Sequence, residues 1–180
     1  PNLHLPAGSL DRVRSVLCLV HGVNSHDVNT KYHSVGKPGR KENAAMIRVY
    51  ADMVADLFHY GHIEFLRQVS ALGDYVLVGI NADDIAEAHK RRPVQTMEER
   101  IVSVAACQYV DQVIPNAPWV FNSTWIEKYG IDLVVHGDDY SDEKQREMYK
   151  VPIERGIFRT VPYTKGISTT EIIRRVKYTG

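Results

Sequence analysis

The chain has 180 residues, 44% of them hydrophobic and 24% charged, with a formal net charge of zero. That length suffices for one domain with a sizeable core, and the even charge excludes a global basic field for nucleic acid and an acidic solvating tail. Cys18 and Cys107 are too few for a disulfide framework and show no metal-ligand spacing, which fits a reducing cytoplasm, and the apolar runs fall short of the roughly 20 residues that insert in a membrane.

Residues 1–45 hold four of the eight histidines and a turn-rich stretch from Ser34 to Lys41. Periodicity there is weak, so the expectation is a flexible N-terminal leader with one short helix over Leu10–Val20. The apolar stretch Val13–Val23 contains His21 and lacks a cleavage site, so it reads as neither signal peptide nor anchor. Met46 stands directly before the first clear strand and is a candidate functional start.

From Ile47 the pattern becomes regular. Ile47–Ala51 reads as a strand, and His62–Leu72 reads as a helix stopped by Gly73. Tyr75–Ile80 is a continuous apolar strand, as in a sheet covered on both faces. Asp83–His89 is a short helix. Thr96-Met97-Glu98-Glu99 is a capping box that opens a helix to about Cys107. Val110–Ile114 is a strand, Ser123–Tyr129 a helix closed by Gly130, and Ile131–His136 another strand. Asp142–Glu154 is helical in part, with Pro152 expected to cut its end. Thr160–Tyr163 is a short strand. Ser168-Thr169-Thr170-Glu171 reads as a second capping box, opening a last helix to Val176. Strands alternating with helices predict a Rossmann-like α/β fold, a parallel sheet flanked by helices, as a single domain over residues 46–180.

Three segments carry candidate chemistry. His59-Tyr60-Gly61-His62 follows the first strand and enters the first helix, where α/β sheets bind anions. Gly61 lets a phosphate approach the backbone, and two imidazoles can donate to oxygens that gain charge in phosphoryl transfer. On these four residues alone, loop histidines without a ligand and metal ligands remain open. No carboxylate or cysteine stands at supporting spacing, so no metal site is assigned. Lys90-Arg91-Arg92-Pro93 follows the second strand on the same sheet edge, where Lys90 can neutralise phosphate. Gly166-Ile167-Ser168-Thr169 can seat an anion on backbone amides and hydroxyls, or serve only as a well-made helix cap.

Ordered motifs extend these segments. Val49-Tyr50-Ala51-Asp52, Asp56-Leu57-Phe58-His59-Tyr60-Gly61-His62, and Lys90 ahead of Glu98-Glu99-Arg100 come first. Tyr109-Val110-Asp111, Asn116-Ala117-Pro118-Trp119, His136-Gly137-Asp138-Asp139 and Gly166-Ile167-Ser168-Thr169 follow. Over Ile47–Val176 the chain resembles the cytidylyltransferases that make CDP-choline, CDP-ethanolamine and CDP-glycerol. The resemblance implies a single nucleotidyltransferase domain that moves CMP from CTP to a small phosphorylated amino-alcohol, with Mg²⁺ and release of pyrophosphate. It further implies a homodimer with Tyr109-Val110-Asp111 near the contact, and a place in phospholipid biosynthesis.

By the same resemblance His59 and His62 would stabilise the α-phosphorus, and Lys90 would bridge it to the incoming phosphate. Gly61, Arg100, Lys165, Gly166, Ser168 and Thr169 would hold the nucleotide phosphates, with Gly137 and Asp138 near the cytosine. Asp52, Trp119, Tyr140 and Tyr149 resemble the acidic and aromatic set that encloses a cationic head. The Lys90–Arg100 stretch looks closer to the ethanolamine branch. Met53 stands where the family has Gly, which implies lost backbone freedom. Ala55 replaces an aromatic ring, and Tyr163 replaces an arginine, with Lys165 the candidate substitute. A phosphonate (2-aminoethyl- or 2-hydroxyethylphosphonate) or glycerol 3-phosphate is the alternative acceptor. A non-catalytic nucleotide-binding module is the alternative of another class.

Overall fold

The computed structural model describes residues 46–178. The expected leader and the helix at Leu10–Val20 lie outside the described residues. The elements in chain order are β1 (Arg48–Met53), α1 (Tyr60–Ser70), β2 (Tyr75–Asn81), α2 (Asp83–His89), α3 (Met97–Ala105) and β3 (Gln112–Ala117). They continue with α4 (Ser123–Tyr129), β4 (Leu133–Gly137), α5 (Asp142–Met148), α6 (Lys150–Glu154), β5 (Phe158–Val161) and α7 (Thr169–Tyr178).

All five strands are parallel, in the order β3-β2-β1-β4-β5. Alternation along the strands divides the core into two layers. Val49, Ala51, Val76, Val78 and Ile80 face a cluster with Leu66 and Val69 of α1 and Val104 of α3. Tyr50, Leu77 and Val134 face the other, with Phe121, Ile126 of α4 and Met148 of α5. Both faces are therefore covered, which explains why β1 and β2 read as unbroken apolar runs. Each such Val, Leu, Ile, Phe or Met side chain, fully withdrawn from water, contributes roughly 1.5–3 kcal/mol.

Local signals fixed most element ends. Thr96 accepts from the Glu99 amide at 3.3 Å, and the Glu99 carboxylate accepts from the Thr96 amide at 2.8 Å, so that capping box is complete. The second box is half made. Ser168 Oγ accepts from the Glu171 amide, but the Glu171 carboxylate turns instead to Arg174 and Arg175. Gly130 closes α4 with φ 57°. Gly73 does not close α1, which is capped at Ala71. A Cβ at position 73 would strike Val49 and come within 2.9 Å of the Ile47 carbonyl, so Gly73 serves close packing.

Three expectations change. Pro152 does not end a helix: the break falls at Tyr149, and Pro152 lies in the first turn of α6, where its missing N–H is no loss. The strand expected over Val110–Ile114 runs instead over Gln112–Ala117, so Pro115 lies inside β3, an edge strand, beside a register shift opposite Ile80 and Asn81. Met53 ends β1 without a left-handed backbone, so glycine's freedom is not used there. Positive φ falls instead at Ala55 and Leu57, 57° and 48°.

Candidate active site

A cleft of about 430 Å³ opens beyond the carboxyl ends of β1, β2 and β4. The chain leaves β1 for β2 on one side and later returns to β4 on the other, so the cleft sits where the strand order reverses. β1 supplies Asp52 and Met53, β2 Asn81, and β4 His136 and Gly137. The loop into α1 supplies His59 with Gly61 and His62 inside the helix. Lys90 and Arg91 follow α2, Trp119 follows β3, and Ser168 and Thr169 stand at the start of α7.

The two histidines cap α1 with their own rings. His59 Nδ1 accepts from the Gly61 amide at 3.0 Å, and His62 Nδ1 accepts from the His59 amide at 3.2 Å. Each Nδ1 is therefore unprotonated, and each neutral ring carries its proton on Nε2. The ring centroids are 4.0 Å apart. Burial lowers the pKa of His59, and burial with the neighbouring His59 and Lys90 lowers that of His62 to about 3. Two neutral N–H donors thus stand at the N-terminus of an eleven-residue helix. Gly61 is needed for this seat: a Cβ there would come within 2.9 Å of the His59 ring.

Cations and carboxylates are sorted around the cleft. Lys90 has its pKa lowered by the packed walls about it, and Asp139 and Asp52 oppose that shift. Asp52 is buried, which raises its pKa; His136, the Tyr149 hydroxyl and Lys90 pull it back. His136 Nδ1 lies 2.9 Å from the Gly137 carbonyl, an acceptor, so that nitrogen carries the proton. Burial pushes the Tyr140 hydroxyl up to about 12.

Asp56 binds together three loops of the cleft. Its carboxylate accepts from Arg91 Nη2 at 2.6 Å and from the amides of Val94 and Gln95 at 3.0 Å, and its carbonyl accepts from Thr169 Oγ1 at 2.8 Å. Burial alone would raise its pKa, but those amides and Arg91 lower it overall.

Of the residues singled out in the sequence, the cleft brings together His59, Gly61, His62, Lys90, Gly137, Ser168, Thr169, Asp52, Trp119 and Tyr140. It leaves out five. Arg100 is fully buried, and its guanidinium holds the carbonyls of Val54 and Asn81 and the carboxylate of Asp83. Tyr149 is fully buried, and its hydroxyl donates to Asp52. Asp138 accepts from the Tyr163 amide at 2.8 Å. Lys165 is exposed beside Gly166, whose φ of 87° shapes the turn before α7. Sequence reasoning gave no role to Asp56, Arg91, His136 or Asp139. The signal for Asp56 was a carboxylate inside an apolar stretch, which needs partners when buried.

The arrangement offers neutral N–H donors, a helix N-terminus, hydroxyls and a lysine to a polyphosphate, with a buried carboxylate at one end. Among the described residues no helix is long and apolar enough to cross a membrane.

The Cytidylyltransferase-like family model matches residues 50–175. The chain is 44% identical over 135 residues to the ethanolamine-phosphate cytidylyltransferase of Arabidopsis thaliana, covering 71% of this chain and 32% of that one. It is 41% identical over 133 residues to the ethanolamine-phosphate cytidylyltransferase of Dictyostelium discoideum, covering 71% and 37%. Choline-phosphate cytidylyltransferase A of Homo sapiens is 39% identical over 133 residues, covering 72% and 36%. The chain thus spans about a third of the length of these curated relatives. Among solved structures, the lipopolysaccharide core biosynthesis protein from Thermoplasma volcanium GSS1 matches with TM-score 0.56 and 25% identity, covering 68% of this chain and all of that one.

Proposed function

The chain belongs to the cytidylyltransferase-like family, and from that premise we propose that it transfers CMP from CTP to phosphoethanolamine, releasing pyrophosphate. A phosphate oxygen of the acceptor attacks the α-phosphorus of CTP. The bond from that phosphorus to the bridging oxygen breaks, and pyrophosphate departs with the electron pair. The carrying observation is the pair of imidazoles whose Nδ1 atoms are both taken by backbone amides. Each is thereby fixed as an Nε2–H donor, suited to oxygens that gain charge as the pentacoordinate phosphorus forms. Lys90 offsets the repulsion between two phosphates. Asp52 accepts from the ammonium of the acceptor. Ser168 and Thr169 face the departing pyrophosphate.

Among the described residues no group of three or more His, Cys, Asp or Glu side chains could hold a metal ion. In this reading Mg²⁺ would come with the nucleotide and would offset the charge of its phosphates. The setting is cytoplasmic phospholipid biosynthesis. The names of the relatives support phosphoethanolamine over phosphonates and glycerol 3-phosphate as acceptor. A homodimer also belongs to this reading: Tyr109-Val110-Asp111 leads directly into β3, an edge strand. Light scattering should give about twice the 20.4 kDa chain mass.

The test is pyrophosphate release from MgCTP with phosphoethanolamine, phosphocholine, 2-aminoethylphosphonate, 2-hydroxyethylphosphonate and glycerol 3-phosphate. Phosphoethanolamine should give the highest kcat/KM. No release with any acceptor would overturn the reading in favour of a binding module.

A further inference from the structure

The aromatic rings at the acceptor end already have partners within the chain. Trp119 stacks on His89, with centroids 4.2 Å apart and planes within 3°. Tyr140 stacks on His136 at 4.4 Å. The Lys144 ammonium stands 4.0 Å from the Tyr140 centroid and 6.0 Å from that of Trp119, both within cation–π range. Lys90 reaches Tyr140 as well, at 5.8 Å.

Lys144 is placed by its surroundings. It is the third residue of α5, whose capping Ser141 hydroxyl accepts the Lys144 amide at 3.4 Å. The next residue, Gln145, donates from its side chain to the Tyr140 carbonyl at 2.9 Å, tying the helix to the ring's own backbone. The cation and the π face therefore belong to one local unit.

A trimethylammonium head has no N–H. It depends on π faces, and its methyl groups hold its charge away from any carboxylate. A primary ammonium donates charge-assisted hydrogen bonds, and a hydroxyl donates neutral ones. Asp52 stands in the same cleft to accept them. On the reading of this cleft as the site of CMP transfer, we infer that Lys144 is a specificity-determining residue. Its ammonium holds the cation position against Tyr140 and Trp119, selecting heads that hydrogen-bond to Asp52 and disfavouring quaternary ammonium.

The experiment compares wild type, Lys144→Met and Lys144→Arg, using pyrophosphate release with phosphocholine and phosphoethanolamine. In Lys144→Met the phosphocholine to phosphoethanolamine ratio of kcat/KM should rise about 5-fold or more, mainly through the KM of phosphocholine, within the span of one cation–π contact. Lys144→Arg keeps the cation and should keep the wild-type ratio. A ratio within twofold of wild type in Lys144→Met, or an equal rise in Lys144→Arg, would overturn the inference. Should neither acceptor support release, the enzymatic reading fails and equilibrium binding of phosphocholine decides this one. Binding at least about 5-fold tighter in Lys144→Met supports the inference, and equal binding overturns it.

Discussion

The Tyr149 hydroxyl donates to Asp52 Oδ1 at 2.9 Å, joining residues 97 apart in the chain. Burial disfavours the charged form of Asp52, and this bond is one of the contacts that restores it. Tyr149→Phe removes the donor while keeping the ring. The pKa of Asp52 should then rise further, so the acidic limb of kcat/KM for an ammonium acceptor should move to higher pH. Near the shifted limb the KM of the acceptor should rise, because less of Asp52 is ionised to meet the ammonium. An unmoved limb would make Tyr149 a packing residue only.

His62→Ala should lower kcat by at least about 100-fold, the scale of losing one oriented donor to a developing oxyanion. The KM of CTP should change far less, because charge on the α-phosphate oxygens grows in the transition state. Near-normal kcat would remove His62 from the mechanism.

Acid should weaken the fold through His62. Its pKa is lowered to about 3 in the folded protein, against about 6.5 for an unperturbed histidine. Between those values the unfolded chain binds the extra proton and the folded chain does not. Stability therefore rises with pH across this window and falls as pH drops from about 6.5 toward 3, by up to about 1.4 kcal/mol per pH unit. Urea unfolding of wild type and His62→Asn checks this: the variant should show the shallower acid slope. Parallel slopes would sink the assignment.

Arg100→Met should destabilise the protein by about 2–5 kcal/mol, because it strands the buried carbonyls of Val54 and Asn81. A direct phosphate ligand would behave differently, losing CTP affinity with an unchanged urea midpoint. The two measurements separate the clamp from the ligand.

The parts of the fold legible in sequence were those written in local pattern. The Thr96 box, the Gly130 stop and the apolar runs of β1 and β2 each report the chain within a few residues of itself. Position 100 carries a signal of its burial. Met97, Ile101 and Val104 form the inward stripe of α3, and Arg100 falls on that stripe at helical spacing. Its partners could not be read, because Val54 follows β1 and Asn81 ends β2, both distant from α3 in the chain. The aromatic set shows the same limit. The resemblance put Trp119 and Tyr140 beside the acceptor, but the sequence could not show that His89 and Lys144 would reach them first. The histidines were legible as a candidate phosphate seat. That their Nδ1 atoms cap α1 and leave Nε2 as the donor depends on ring orientation, which spacing does not encode.

Asp56 has a consequence for the order of events. Asp56 stands in the loop before α1, and its contacts reach the segment 91–95 and the first residue of α7. Those segments form three walls of the cleft, and one residue ties them together, by its carboxylate on one side and its carbonyl on the other. A nucleotide that stills any wall has largely stilled the others, so the ordering entropy is incurred once. The second substrate then meets a rigid surface. Kinetically this favours a compulsory sequence, with the triphosphate entering first and the acceptor after it.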